Sequence, residues 1–119
     1  KVGINYAVPT EKLCVGGTIL ESSSRKIKHN ISNIENILPA VLQMQGVKFD
    51  YNEDFAKNSK NNYGFIAEDT AKVLPHVVGY GPDGEPSGIQ YTKLTAVLLE
   101  AIKEQQVQID ELKSRSKRD

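Results

Sequence analysis

The chain has 119 residues, with 15 Lys+Arg against 15 Asp+Glu, so its formal charge at neutral pH is zero. That length holds one domain rather than two, and the charge balance excludes binding to nucleic acid or an anionic membrane driven by bulk positive charge. The single cysteine, Cys14, excludes an internal disulfide and a cysteine-rich zinc cage. No apolar run approaches the roughly 18 residues of a membrane span, and no basic-then-apolar leader opens the sequence. Apolar residues make up only 39% and tryptophan is absent, which predicts a thin core and some apolar surface buried between copies of the chain. The start at Lys1 without a Met is expected of a segment from a longer protein.

Lys1 to Leu20 carries Val2, Ile4, Leu13, Val15, Ile19 and Leu20 in short runs broken by Gly3, Pro9, Gly16 and Gly17. Such runs predict short strands and turns rather than a helix. Cys14, in Leu13-Cys14-Val15-Gly16-Gly17, reads as a small apolar side chain on an edge strand before it reads as a reactive thiol. Glu21 to Lys28 is polar, with three consecutive serines followed by Arg25, Lys26 and Lys28, the composition of a linker. Ile31, Ile34, Ile37, Leu38, Val41 and Leu42 then recur at helical spacing. They predict an amphipathic helix capped by Asn30 or Ser32, with Glu35 at capping-box distance from Ser32. Pro39 predicts a break, with a further turn over Ala40 to Gln45 ended by Gly46.

Val47, Phe49 and Tyr51 alternate with Lys48 and Asp50, the pattern of a half-buried strand. Asn52 to Asn62 is polar and reads as a mobile loop. Tyr63-Gly64-Phe65-Ile66-Ala67 leads through Glu68-Asp69-Thr70 into a short helix that ends near Leu74, where Pro75 stops it. Val77-Val78 and Ile89 to Tyr91 flank the turn-rich segment Gly81 to Gly88, which predicts a hairpin. These glycines lack the spacing and the following Lys-Ser/Thr of a phosphate-binding loop.

Tyr91 to Arg115 contains neither Gly nor Pro. Thr95, Leu98, Ile102, Gln105, Ile109 and Leu112 alternate three- and four-residue steps, placing Thr95, Ile102 and Ile109 at a positions and Leu98, Gln105 and Leu112 at d positions of a heptad seam. The seam predicts a parallel coiled coil between copies, with Gln105 costing stability and fixing register. A single amphipathic helix packed in cis is the alternative. Leu94, Val97, Leu99 and Ala101 predict that the first half of the helix also packs on its own domain. Ile at a with Leu at d leans towards two strands, so the seam alone does not set three. The Lys113, Arg115, Lys117 and Arg118 tail reads as a solvated helix end that offsets the dipole.

Few residue combinations here offer chemistry. The two histidines, His29 and His76, share no ligand spacing with Cys14 or with each other, so neither a metal nor any other cofactor is expected. The serine and lysine run is different. Ser23-Ser24-Arg25-Lys26-Ile27-Lys28-His29-Asn30-Ile31 resembles the signature Ser-Asp-x-Arg-Leu-Lys-x-Asn-Ile of the peptidase S74 family. These are self-cleaving intramolecular chaperone domains at the C-termini of phage tailspikes, tail fibres and neck appendages. The resemblance continues through Leu42 to Asp50 and Tyr63 to Asp69, and returns in Tyr91 to Ile102, in order, over about Ser23 to Lys113. Val2-Gly3-Ile4 and Lys12 to Gly17 are similar to the β-stalk repeat that precedes such domains. One departure from the signature stands at Ser24, where the family has Asp.

The resemblance implies an α+β fold of short antiparallel strands and helices, with an N-terminal β-stalk segment and a long C-terminal coiled-coil helix over about 91–115, assembled as a homotrimer. It implies that residues 1–22 end the stalk of a preceding fibre and that residues 23–119 are the chaperone domain. It makes Ser23 the nucleophile and Lys28 the general base for cleavage of the Ser22–Ser23 bond, with Asn30 a possible support for the oxyanion. The implied partners are two further copies of the chain and its own N-terminal β-helical fibre or spike, with no nucleic acid and no membrane. Assembly in the host bacterial cytoplasm and a place in the virion tail or neck appendage follow from the same resemblance. A non-cleaving trimeric assembly or receptor-binding fibre tip is the alternative, with Asn52 to Asn62 and Gly81 to Gly88 as its contact loops. A lysine ammonium in water is almost fully protonated at neutral pH. Ile27, Ile31 or a neighbouring subunit is therefore expected to strip water from Lys28.

Overall fold

The computed structural model describes residues 1–118, and the chain packs as two units, Lys1–Ser32 and the residues from Asn33 onward. In the first unit, strands β1 (Val2–Ile4) and β2 (Leu13–Val15) pair in parallel, with Val2 opposite Leu13 and Ile4 opposite Val15. Parallel neighbours usually need a helical crossover of a dozen residues or more. Here an irregular loop makes the return, and Gly3 lets it close. A Cβ at Gly3 would meet the Pro9 ring at 2.7 Å and collide with the Tyr6 carbonyl oxygen. Asn5, at φ 54°, turns the chain out of β1 and donates its side-chain amide to the Gly16 carbonyl at 3.2 Å. The Glu11 backbone N–H donates to Cys14 Sγ at 3.3 Å, and this hydrogen bond holds the thiol below its ordinary pKa. After β2 the only regular element before residue 33 is a single 3-10 turn over Arg25–Ile27.

The second unit contains α1 (Leu38–Gln43), an antiparallel pair β3 (Val47–Phe49) and β4 (Asn62–Gly64), helix α2 (Ala67–Ala71), an antiparallel hairpin β5 (Val78–Tyr80) and β6 (Pro86–Ile89), and helix α3 (Lys93–Arg118). The strands alternating around Lys48 and the hairpin around Gly81 to Gly88 form where the sequence predicts them. The helix expected from Ile31 does not. Asn30 and Asn36 adopt φ 52° and 53°, values incompatible with a right-handed helix, so residues 31–37 run irregularly. Pro39 then occupies the first turn of α1 instead of breaking a longer helix, because a proline at that position loses no internal hydrogen bond.

The amides that open α1 find their acceptor far away in sequence. Glu104 Oε2, on α3, accepts from Ile37 N at 2.9 Å and Leu38 N at 3.3 Å. Neither a side-chain cap nor an acidic residue in the first turn of α1 serves that end otherwise. Glu104→Ala removes the acceptor for both amides and is expected to lower stability by about 1–3 kcal/mol, while Glu104→Gln, which keeps a carbonyl oxygen, loses less. Urea unfolding of the two variants measures the difference.

The core is small. Val77, Val78, Leu94 and Val97 are buried together, with Ile37, Val41, Met44, Phe65, Leu74 and Ile89 packed around them. Full burial of one such side chain stabilises by roughly 1.5–3 kcal/mol. Thr70, also buried, satisfies its hydroxyl by donating to the Ile66 carbonyl at 2.9 Å. The polar loop between β3 and β4 is internally bonded: Tyr51 N donates to Ser59 O and Asn61 N to Asp50 Oδ1, both at 2.9 Å, and the Tyr51 ring meets Phe49 edge-to-face and Phe55 at a tilt.

Helix α3 presents two faces. Leu94, Val97 and Ala101 are buried and Glu104 is half-buried on one of them, packed against α1 and the core. Thr95, Leu98, Ile102, Gln105, Ile109 and Leu112 lie on the other, every one exposed in the single chain, with Ile102 and Leu112 each at 61%. Leu99, expected to pack on the domain, is exposed as well.

Candidate functional site

Ser22, Ser23 and Ser24 lead into the 3-10 turn, and Lys28 leaves it. Ser24 is extended (φ −67°, ψ 144°) and acts as the N-cap. Its Oγ accepts from Lys26 N at 3.2 Å, satisfying an amide that the first turn of a helix leaves without a partner. Two backbone bonds close the turn, Ile27 N to Ser24 O and Lys28 N to Arg25 O, each 3.1 Å. The backbone has then reversed far enough for the Lys28 side chain to fold back, and Lys28 Nζ donates to Ser23 Oγ at 2.6 Å. A reach of five residues that would span about 17 Å if extended becomes one direct hydrogen bond.

The two residues expected to act together are therefore in contact, and the bond expected to break, Ser22–Ser23, adjoins that contact. Ser23 and Lys28 are exposed in the single chain, and so are Ile27, at 64%, and Ile31, so neither isoleucine shields the amine. As an ammonium, Lys28 holds the serine oxygen in place but has no lone pair for its proton. As a neutral amine in the same position it is the acceptor that a serine nucleophile requires. Asn30 follows two residues later at φ 52°, a left-handed conformation that asparagine tolerates better than most residues, and it turns the chain towards Ile31.

Two capping contacts are not legible in the sequence. Ser24 was visible only as a departure from the family's Asp, although a serine preceding a turn is itself an N-cap signal. Glu104 had no local signal, since its partners lie on another element. Among the described residues no group of three or more His, Cys, Asp or Glu is arranged to hold a metal, and no helix is long and apolar enough to cross a membrane.

Comparison with known proteins addresses the same segment. The long tail fiber protein Gp37 of Salmonella phage S16 is 30% identical over 102 residues, an alignment that takes in 81% of this chain but 14% of the fibre protein. The chain thus spans about a seventh of that relative's length. A family model described as chaperone of endosialidase, peptidase S74, matches residues 23–79, beginning at the serine that Lys28 contacts. Over that segment, just under half of its length, the chain is similar to the chaperone-of-endosialidase family.

Proposed function

We propose that this chain is an intramolecular chaperone that gathers three copies of a phage tail fibre or related appendage in register and then releases itself by cutting the Ser22–Ser23 bond. The 2.6 Å contact between Lys28 Nζ and Ser23 Oγ carries this reading, supported by the family-model match over residues 23–79 and by similarity to a long tail fiber protein. In the reaction, neutral Lys28 takes the proton of the Ser23 hydroxyl as Oγ attacks the Ser22 carbonyl carbon. The C–N bond breaks, the proton passes to the α-nitrogen of Ser23, and an ester links Ser22 to Ser23 Oγ. Water then hydrolyses the ester, leaving a carboxylate on Ser22 and a free amine and hydroxyl on Ser23. The nucleophile is covalently next to its target, so proximity is built in, and the Asn30 carboxamide is a candidate donor to the oxyanion.

The remaining requirement is removal of water from Lys28. With Ile27 and Ile31 exposed in the single chain, we assign that cover to neighbouring copies, brought together through a coiled coil of the exposed α3 stripe from Thr95 to Leu112. Cleavage then follows completed assembly. Loss of the chaperone leaves a fibre that cannot readily retrace its folding, a kinetic form of stability. The reading places the parent protein in the virion tail or a neck appendage and assembly in the host cytoplasm, with residues from Ser23 onward as the released part.

The first-order cleavage constant is therefore expected to depend on protein concentration. It should fall by at least about tenfold on dilution below the assembly midpoint, followed by gel densitometry alongside light scattering. A constant independent of dilution would make the neighbouring copies unnecessary. An uncut trimer would favour the non-cleaving fibre tip.

A further inference from the structure

We propose that Ser24 is a positioning residue for the cleavage, setting the fraction of time that Lys28 is held at Ser23. The inference rests on the autoproteolytic reading and extends it to a side chain that never meets the reacting atoms. The contact of Lys28 Nζ with Ser23 Oγ requires the backbone to reverse between them, and the reversal is a single 3-10 turn, Arg25–Ile27. That turn has little else to hold it. Its three residues are all exposed, it contains no acidic residue, and two backbone hydrogen bonds close it.

A turn this short carries the full cost of nucleation, with no propagation to offset it. The Ser24 Oγ bond to Lys26 N, at 3.2 Å, adds a third tie at the end where amides are otherwise left without acceptors.

The test compares Ser24→Thr with Ser24→Val, side chains of equal shape of which only threonine can cap. Losing an N-cap is expected to slow cleavage on the order of fivefold in Ser24→Val, with Ser24→Thr within about twofold of wild type. Molar mass in solution should not change in either. The second readout is amide hydrogen exchange at Lys26 in the uncut Ser23→Ala background. It should speed up severalfold when Val replaces Ser24 and not when Thr does. Equal cleavage rates for Thr and Val, or equal exchange at Lys26, would overturn the positioning role while leaving the dyad intact. Cleavage of the Ser23→Ala chain itself would instead remove the reading on which this role depends.

Discussion

Ser23→Ala is expected to give no detectable cleavage product, because a methyl group has no oxygen to attack the Ser22 carbonyl. Lys28→Met, which keeps much of the side chain's length and apolar stem, should slow cleavage by about 10²–10⁴-fold, the range that a positioned general base supplies. Lys28→Arg is the more discriminating variant. Guanidinium can donate to Ser23 Oγ as the ammonium does now at 2.6 Å, but it stays protonated at any accessible pH and cannot accept a proton. It should therefore be as inactive as Lys28→Met while preserving the contact. Wild-type rates in Lys28→Arg, read from a denaturing-gel time course, would show that Lys28 orients the serine and some other group takes the proton.

The second large effect concerns assembly. Ile102→Asp and Ile109→Asp place a carboxylate in the middle of the proposed seam, where three copies would meet in one layer without water. Both isoleucines are exposed in the single chain, so neither change disturbs the core of Val77, Val78, Leu94 and Val97. In the Ser23→Ala background, which keeps the chain whole, the parent is expected at three times 13.2 kDa, about 40 kDa. Each Asp variant is expected at one third of that, with association weakened by at least about 10³-fold, since several unpaired charges are desolvated together. In the cleavable chain the same variants should cut slowly. Light scattering reads the first effect and gel densitometry the second. Asp variants that remained trimeric would move the interface off this stripe.

Much of this arrangement is legible in the sequence, for reasons that differ by element. Helix α3 announced itself because no Gly or Pro interrupts Tyr91 to Arg115 and because two apolar patterns overlap there, one buried at Leu94, Val97 and Ala101 and one left open. The β5–β6 hairpin followed from its turn residues. The segment from Ile31 to Ile37 misled because helical spacing of apolar residues does not reveal backbone sign. Asn30 and Asn36 are left-handed, a conformation asparagine tolerates, but the sequence does not say which of its asparagines adopt it. The start of α1 depends on Glu104, 66 residues beyond Leu38, and no local window contains that partner. The parallel pairing of β1 with β2 was equally hidden, since a loop shorter than a usual crossover carries the return.

At the candidate site the partners Ser23 and Lys28 came from a motif, but the device that joins them did not. A linker-like composition, three serines followed by basic residues, turned out to contain a capped 3-10 turn. Composition reports average solvation and says nothing about one hydroxyl accepting one amide. The missing cover over Lys28 was illegible for a related reason: the isoleucines that looked able to supply it point to no interior of the single chain, being exposed themselves.

Electrospray mass spectrometry of the purified wild-type chain, combined with N-terminal sequencing of any fragment, addresses the proposed cleavage most directly. Cleavage by the Lys28-activated serine yields two masses that sum to the whole plus one water, and a fragment that begins Ser-Ser-Arg-Lys at Ser23. A chain that stays at its full mass after assembly, or a new N-terminus anywhere other than Ser23, would contradict it.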